Sequence, residues 1–151
     1  MMMQIIHLSF RRFDPSRRPL VESLRAFFIG VLIRVMAYLG FGVLIIGRAR
    51  TGKTYLMERI CSGKVLNSTA KIIASNGSPL SLEMARVPRG GLFAIDEAAY
   101  VTQAQFQTLA DELRNRRVIY ALQRIEDVAR SGLNDLLRGK PVLIIELGKR
   151  L

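Results

Sequence analysis

An unbroken apolar run at residues 41–46 (FGVLII), stopped abruptly by a glycine and a loop of small and basic residues, narrows the choice of folds sharply. A short run with no polar alternation reads as a strand buried on both faces, and such strands belong to parallel sheets covered by helices. Further runs at 70–74 (AKIIA), 92–96 (LFAID), 118–122 (VIYAL) and 142–147 (VLIIEL) read as strands of the same kind. Between them, residues 53–62, 103–116 and 125–137 carry helical patterns, the second with Phe106, Leu109, Ala110 and Leu113 on one side. Residues 76–91 read as a turn-rich connector with a short helix near 81–85. Strands alternating with helices predict a three-layer α/β/α domain on a sheet of about five mainly parallel strands.

The chain has 151 residues, of which 50% are hydrophobic, enough for one buried core, and this excludes a disordered basic tail. Cys61 is the single cysteine and His7 the single histidine. An internal disulfide and a run of paired Cys/His zinc ligands therefore have no residues to build them, a Ser-His-Asp arrangement has no support because His7 lies in the N-terminal segment, and the cell interior is the expected compartment, with the inner face of a membrane as a variant of it.

Residues 1–40 are expected to form a basic N-terminal segment and an apolar helix, ahead of a core domain over 41–151. Two arginine pairs, Arg11-Arg12 and Arg17-Arg18, follow a short apolar start, an order opposite to that of a secretory signal. From Pro19 onward Leu20, Leu24, Phe27, Phe28, Val31, Leu32, Val35, Met36 and Leu39 recur at three- and four-residue steps and mark one helical face. Pro19 suits the first turn and Gly40 the stop. Ile29, Gly30, Ile33, Ala37 and Tyr38 make the opposite face fairly apolar too. A membrane span is disfavoured because Arg34 would sit deep in hydrocarbon at about 3 kcal/mol and a core strand begins directly after Gly40. Packing on the sheet is the favoured role, and contact with lipid or a partner the second.

At the end of the first core strand stand Gly47, Arg48, Ala49, Arg50, Thr51, Gly52, Lys53 and Thr54, a full match to G-x-x-x-x-G-K-[ST], followed by Tyr55. Such a loop turns its backbone N–H groups around phosphate oxygens, the following helix presents its positive end, the lysine reaches the β/γ-phosphates and the hydroxyl binds Mg²⁺. The run at 92–96 ends in Asp96 and Glu97, where the first carboxylate suits Mg²⁺ and the second can polarise an attacking water. Gln123 follows the strand at 118–122, and the carboxyl ends of strands in an open parallel sheet line the ligand crevice, so it can contact the γ-phosphate or the water.

These motifs resemble the P-loop ATPases of the additional-strand, catalytic-glutamate type, in which one strand separates the nucleotide-binding strand from that bearing the Asp-Glu pair. Within them the sequence is most similar to the HerA/FtsK group of DNA-translocating motors and their Zot-like relatives in conjugation and filamentous phage assembly. The likeness spans residues 41–147 and is carried by GRARTGKT, the IDEA at 95–98, the LRNRR at 113–117 leading to Gln123, and the acidic-then-helical segment 125–137. It implies ATP and Mg²⁺ as cofactors, hydrolysis by a homo-oligomer, often a ring, and an arginine given by a neighbouring subunit, for which Arg114, Arg117, Arg130 and Arg138 are candidates. The chain is far shorter than the large motors of that group, so DNA movement by it alone is not expected.

A net charge of +11 favours a polyanionic partner such as DNA, although 18 arginines against 5 lysines is also the bias of a GC-rich genome. Two other readings stand beside the ATPase. One is a non-hydrolysing nucleotide switch or adaptor at a membrane or DNA complex; the other is a small P-loop kinase, with the arginines at 114–117 imitating a lid. A deviant partition-type loop would carry a lysine where Arg48 and Ala49 stand, and no N/T-K-x-D base-reading motif is present.

Overall fold

Strands without polar alternation need neighbours on both edges and helices on both faces. The computed structural model, which describes residues 5–48, 51–61, 65–67, 91–96, 98, 107, 113–114, 116–130 and 133–148, has that arrangement. Its strands are β1 Ile5–Phe10, β2 Gly42–Ile46, β3 Val65–Asn67, β4 Leu92–Asp96, β5 Arg117–Leu122 and β6 Val142–Leu147. They form one sheet in the order β1-β6-β2-β5-β4-β3, and every pairing is parallel. The helices are α1 Pro19–Tyr38, α2 Lys53–Cys61, α3 Asp127–Arg130 and α4 Leu133–Leu137.

The sheet alternates its side chains between two cores. Val43, Ile45, Ile119, Ala121, Leu143 and Ile145 face α1 and α2, which contribute Ala26, Ile29, Ile33, Leu56, Met57 and Ile60. Leu44, Ile46, Phe93, Ile95, Tyr120, Leu122 and Ile144 face the other way, onto Leu133, Leu136 and Leu137 of α4 and onto Leu113. The chain is therefore three-layered, with a wholly buried β2 at the centre. Burial pushes the Tyr120 phenol above its ordinary range.

Several sequence expectations need correction. Six strands are described where about five were expected: β2, β4, β5 and β6 match four of the expected runs, while β1, at the edge beside β6, and β3, at the edge beside β4, were not expected; the half-exposed residues of β1 lack the unbroken apolar character of the central strands. The strand expected at 70–74, the connector at 76–91 apart from Gly91 and the helix near 81–85 lie outside the described residues, as does most of the helix at 103–116. The helix expected over 125–137 is two short helices, and Ile125 stands exposed in the turn before the first.

The orientation of α1 is the largest difference. It packs on the sheet, but through Ala26, Ile29, Gly30, Ile33 and Ala37, while Leu20, Leu24, Phe27, Phe28, Val31, Val35 and Leu39 of the expected packing face are exposed. Size decides this. A Cβ on Gly30 would lie 3.2 Å from Ile60 Cγ1, so only a small-residue face can come this close to α2. No helix among the described residues is long and apolar enough to cross a membrane.

At its N-terminal end α1 is tied down by a strap of residues 11–18. The buried Glu22 accepts from the Asp14 N–H at 2.8 Å and from Arg25, whose Nη1 lies 2.9 Å from both carboxylate oxygens. Arg25 also donates to the Arg11 carbonyl at 2.8 Å and stacks over the Phe13 ring at 4.6 Å. Burial pushes the Glu22 carboxyl up, but the hydrogen bonds from Arg25 and the Asp14 N–H, with the charges of Arg25 and Arg11, more than offset that and hold it below its ordinary value.

Candidate functional site

Because all strands are parallel, β2, β4, β5 and β6 end on one edge of the sheet, and the residues that follow or end them meet there. The loop after β2 leads into α2, which opens at Lys53, and the N–H groups of a helix's first turn have no acceptor within the helix. Gly52 has φ +90°, a conformation that L side chains rarely adopt, and a Cβ there would come within 2.5 Å of Phe13 Cβ. The Phe13 N–H donates to the Thr51 carbonyl at 2.9 Å, and the Thr51 hydroxyl donates to the Arg48 carbonyl at 2.8 Å. The strap before α1 thus braces the loop from outside.

Lys53 is 7% exposed, and its Nζ contacts the Leu122 carbonyl at 3.4 Å. That carbonyl, at the end of β5, also accepts the Gly47 N–H at 3.0 Å. Among the described residues this long contact to a backbone oxygen is the Lys53 ammonium's one hydrogen bond, and a buried ammonium so held is costly to keep unless an anion joins it. The Thr54 hydroxyl donates to Asp96 Oδ2 at 3.4 Å, across 42 residues of sequence. The fold therefore brings the motif after β2 and the carboxylate ending β4 together. Tyr55 lies between the Phe13 ring, 5.6 Å away, and the Arg59 guanidinium, 5.0 Å from its ring. Its hydroxyl is buried with no hydrogen-bond partner among the described residues.

Gln123 is exposed just past β5 and lines a cleft of about 370 Å³ with Arg48, Arg124, Glu126 and Glu146. The cleft opens beside the loop, so Gln123, Lys53, Thr54 and Asp96 share one edge. Ala49, Arg50 and Glu97 lie outside the described residues. Of the arginines expected to reach a neighbouring subunit, Arg114, Arg117 and Arg138 stand at the opposite end of the sheet, where β5 and β6 begin. Arg117 stacks on Tyr38 at 4.8 Å and Arg138 pairs with Asp135 at 2.9 Å, while the Arg130 side chain is outside the described part.

The described residues hold no group of three or more His, Cys, Asp and Glu that could hold a metal ion. The available donors are instead one hydroxyl and one carboxylate, hard oxygens of the kind that take Mg²⁺ with its waters and with phosphate oxygens. Sequence reasoning missed Phe13, the Leu122 carbonyl and the charged lining of the cleft. Phe13 carried a faint signal, as the one large apolar residue in a basic stretch, RRFDPSRR. No protein-family model matches this chain and no curated protein matches it, so the chemistry of the site rests on its own residues.

Proposed function

We propose that the chain binds and hydrolyses ATP with Mg²⁺, in the service of DNA mobilisation, conjugation or phage assembly. The observation that carries the nucleotide part is the buried Lys53 ammonium, whose one hydrogen bond among the described residues is to a backbone carbonyl, at the mouth of a glycine loop and a helix N-terminus. Gly47, Gly52 and the loop N–H groups cradle the phosphates, with Lys53 on the β/γ-phosphates. Thr54 and Asp96 would hold Mg²⁺, which neutralises charge on the phosphates. Glu97, next to Asp96, takes the proton of the attacking water, and Gln123 meets the γ-phosphate. The strand order supports the additional-strand type, since β5 lies between β2 and β4. The +11 charge supports a DNA partner.

The test is phosphate release from ATP with and without DNA, beside nucleotide affinity, for wild type, Lys53→Ala and Glu97→Gln. Lys53→Ala should weaken ATP binding by at least about tenfold, the worth of a charge-assisted hydrogen bond. Glu97→Gln should keep ATP bound and lose turnover. Unchanged binding in Lys53→Ala would overturn the nucleotide assignment, binding without turnover in wild type would leave a switch, and DNA binding insensitive to salt would remove the DNA part.

A further inference from the structure

The outer face of α1 is a continuous apolar ridge on the surface. Leu24, Phe27, Phe28, Val31 and Val35 project outward, with Phe27 60% and Phe28 63% exposed and their rings edge to face at 5.8 Å. A ridge of this extent on the outside of a folded domain marks a contact surface. What flanks it identifies the contact. On one side run Arg25 and the strap, whose exposed Arg11, Arg12, Arg17 and Arg18 line a cleft of about 210 Å³ with Arg25. On the other stand Arg34, which donates to the Ile60 carbonyl at 2.8 Å, and Arg59, which donates to Ser23 at 2.7 Å. The acids of the strap and α1 are Asp14 and Glu22, and Glu22 is buried in its pair with Arg25.

We infer that α1 docks the protein in the plane of an anionic lipid surface, with Phe27 and Phe28 in the acyl boundary and the flanking arginines on the headgroup phosphates. An apolar ridge between two basic margins is complementary to such a surface in both layers: acyl chains meet the ridge and anionic headgroups meet the margins. A second copy of the chain fits less well, because it would bring one arginine margin against another. A DNA backbone would satisfy the arginines and leave the ridge in water. The inference does not depend on the nucleotide reading.

The experiment is co-sedimentation of the full chain with vesicles of phosphatidylcholine alone and of phosphatidylcholine with an equal part of phosphatidylglycerol, at low and high salt. Binding should be at least about tenfold tighter to the anionic vesicles, since each arginine near the surface contributes, and should weaken as salt rises. Phe27→Ser with Phe28→Ser should lower it by about tenfold or more while the far-UV spectrum stays that of wild type, as both rings are exposed. Arg17→Gln with Arg18→Gln should lower binding to anionic vesicles and leave neutral ones unaffected. Wild type that stays in the supernatant with anionic vesicles overturns the proposal. So does binding that ignores the phenylalanine change, and so does a lipid-free oligomer that the same change dissociates, which would assign the ridge to a second copy. Arginine variants that lose only DNA binding overturn it as well.

Discussion

Helices α1 and α2 lie side by side on one face of the sheet and follow opposite rules. α2 puts its large residues, Leu56, Met57 and Ile60, inside and leaves Thr54, Glu58 and Arg59 in water, as a surface helix does. α1 buries alanine, glycine and isoleucine and keeps its phenylalanines and most of its leucines and valines outside. The contrast teaches that α1 is short of neither apolar surface nor a core to join; its inner face is chosen for close approach, and its outer face is left for something else.

The contrast is broken most directly by truncating one leucine on each helix. Leu56→Ala, at 0% exposure, should lose about 3 kcal/mol of unfolding free energy in denaturant titrations. Leu24→Ala, at 57% exposure, should stay within about 0.5 kcal/mol. Equal losses would mean that α1 turns its other face inward in solution. Next in size, Gly30→Leu should cost about 2 kcal/mol, because the added side chain runs into Ile60. A neutral result there would show that α1 and α2 do not touch so closely.

A pH-linked effect sharpens the comparison at the N-terminal end of α1. Glu22 has a lowered carboxyl pKa in the folded state, so its contribution is fully present above the unfolded carboxylate value, about 4.3, and is lost as pH falls through the lower folded value. Wild type should therefore lose stability on acidification more steeply than Glu22→Gln, measured as denaturation midpoints from neutral pH downward. Parallel slopes would sink the Arg25 and Asp14 pairing. The smallest effect belongs to α2: Tyr55→Phe removes a buried hydroxyl that has no hydrogen-bond partner among the described residues and should change stability by no more than about 1 kcal/mol, in the stabilising direction.

How much of this could be read from the chain depends on the kind of signal each part carries. β2, β4, β5 and β6 are apolar through most of their length because both faces are covered, and such runs are visible without neighbours. β1 is an edge strand whose residues are exposed or half-exposed on both faces, and β3 has three residues, so neither offers a period to read. For α1 the period was plain and the side was not, since both arcs are apolar and only side-chain size separates them. In the site, Asp96 and Gln123, at the ends of β4 and β5, and Lys53 and Thr54, at the end of the loop that follows β2, were legible because a parallel sheet gathers those ends by construction. Phe13 was not, because its hold on Gly52 is a contact between segments far apart in the chain.

The position of β6 carries a consequence for how the molecule is made. β6 sits between β1 and β2, although the ribosome delivers both of them long before it. The early strands, joined through α1, cannot take their final places about 10 Å apart, with one strand's width between them, until residues 142–147 arrive. Until then β2 has a bare edge and the Phe10 carbonyl lacks the Gly148 N–H that meets it at 3.0 Å. A nascent chain can therefore carry the whole glycine loop and still have no finished place to put it.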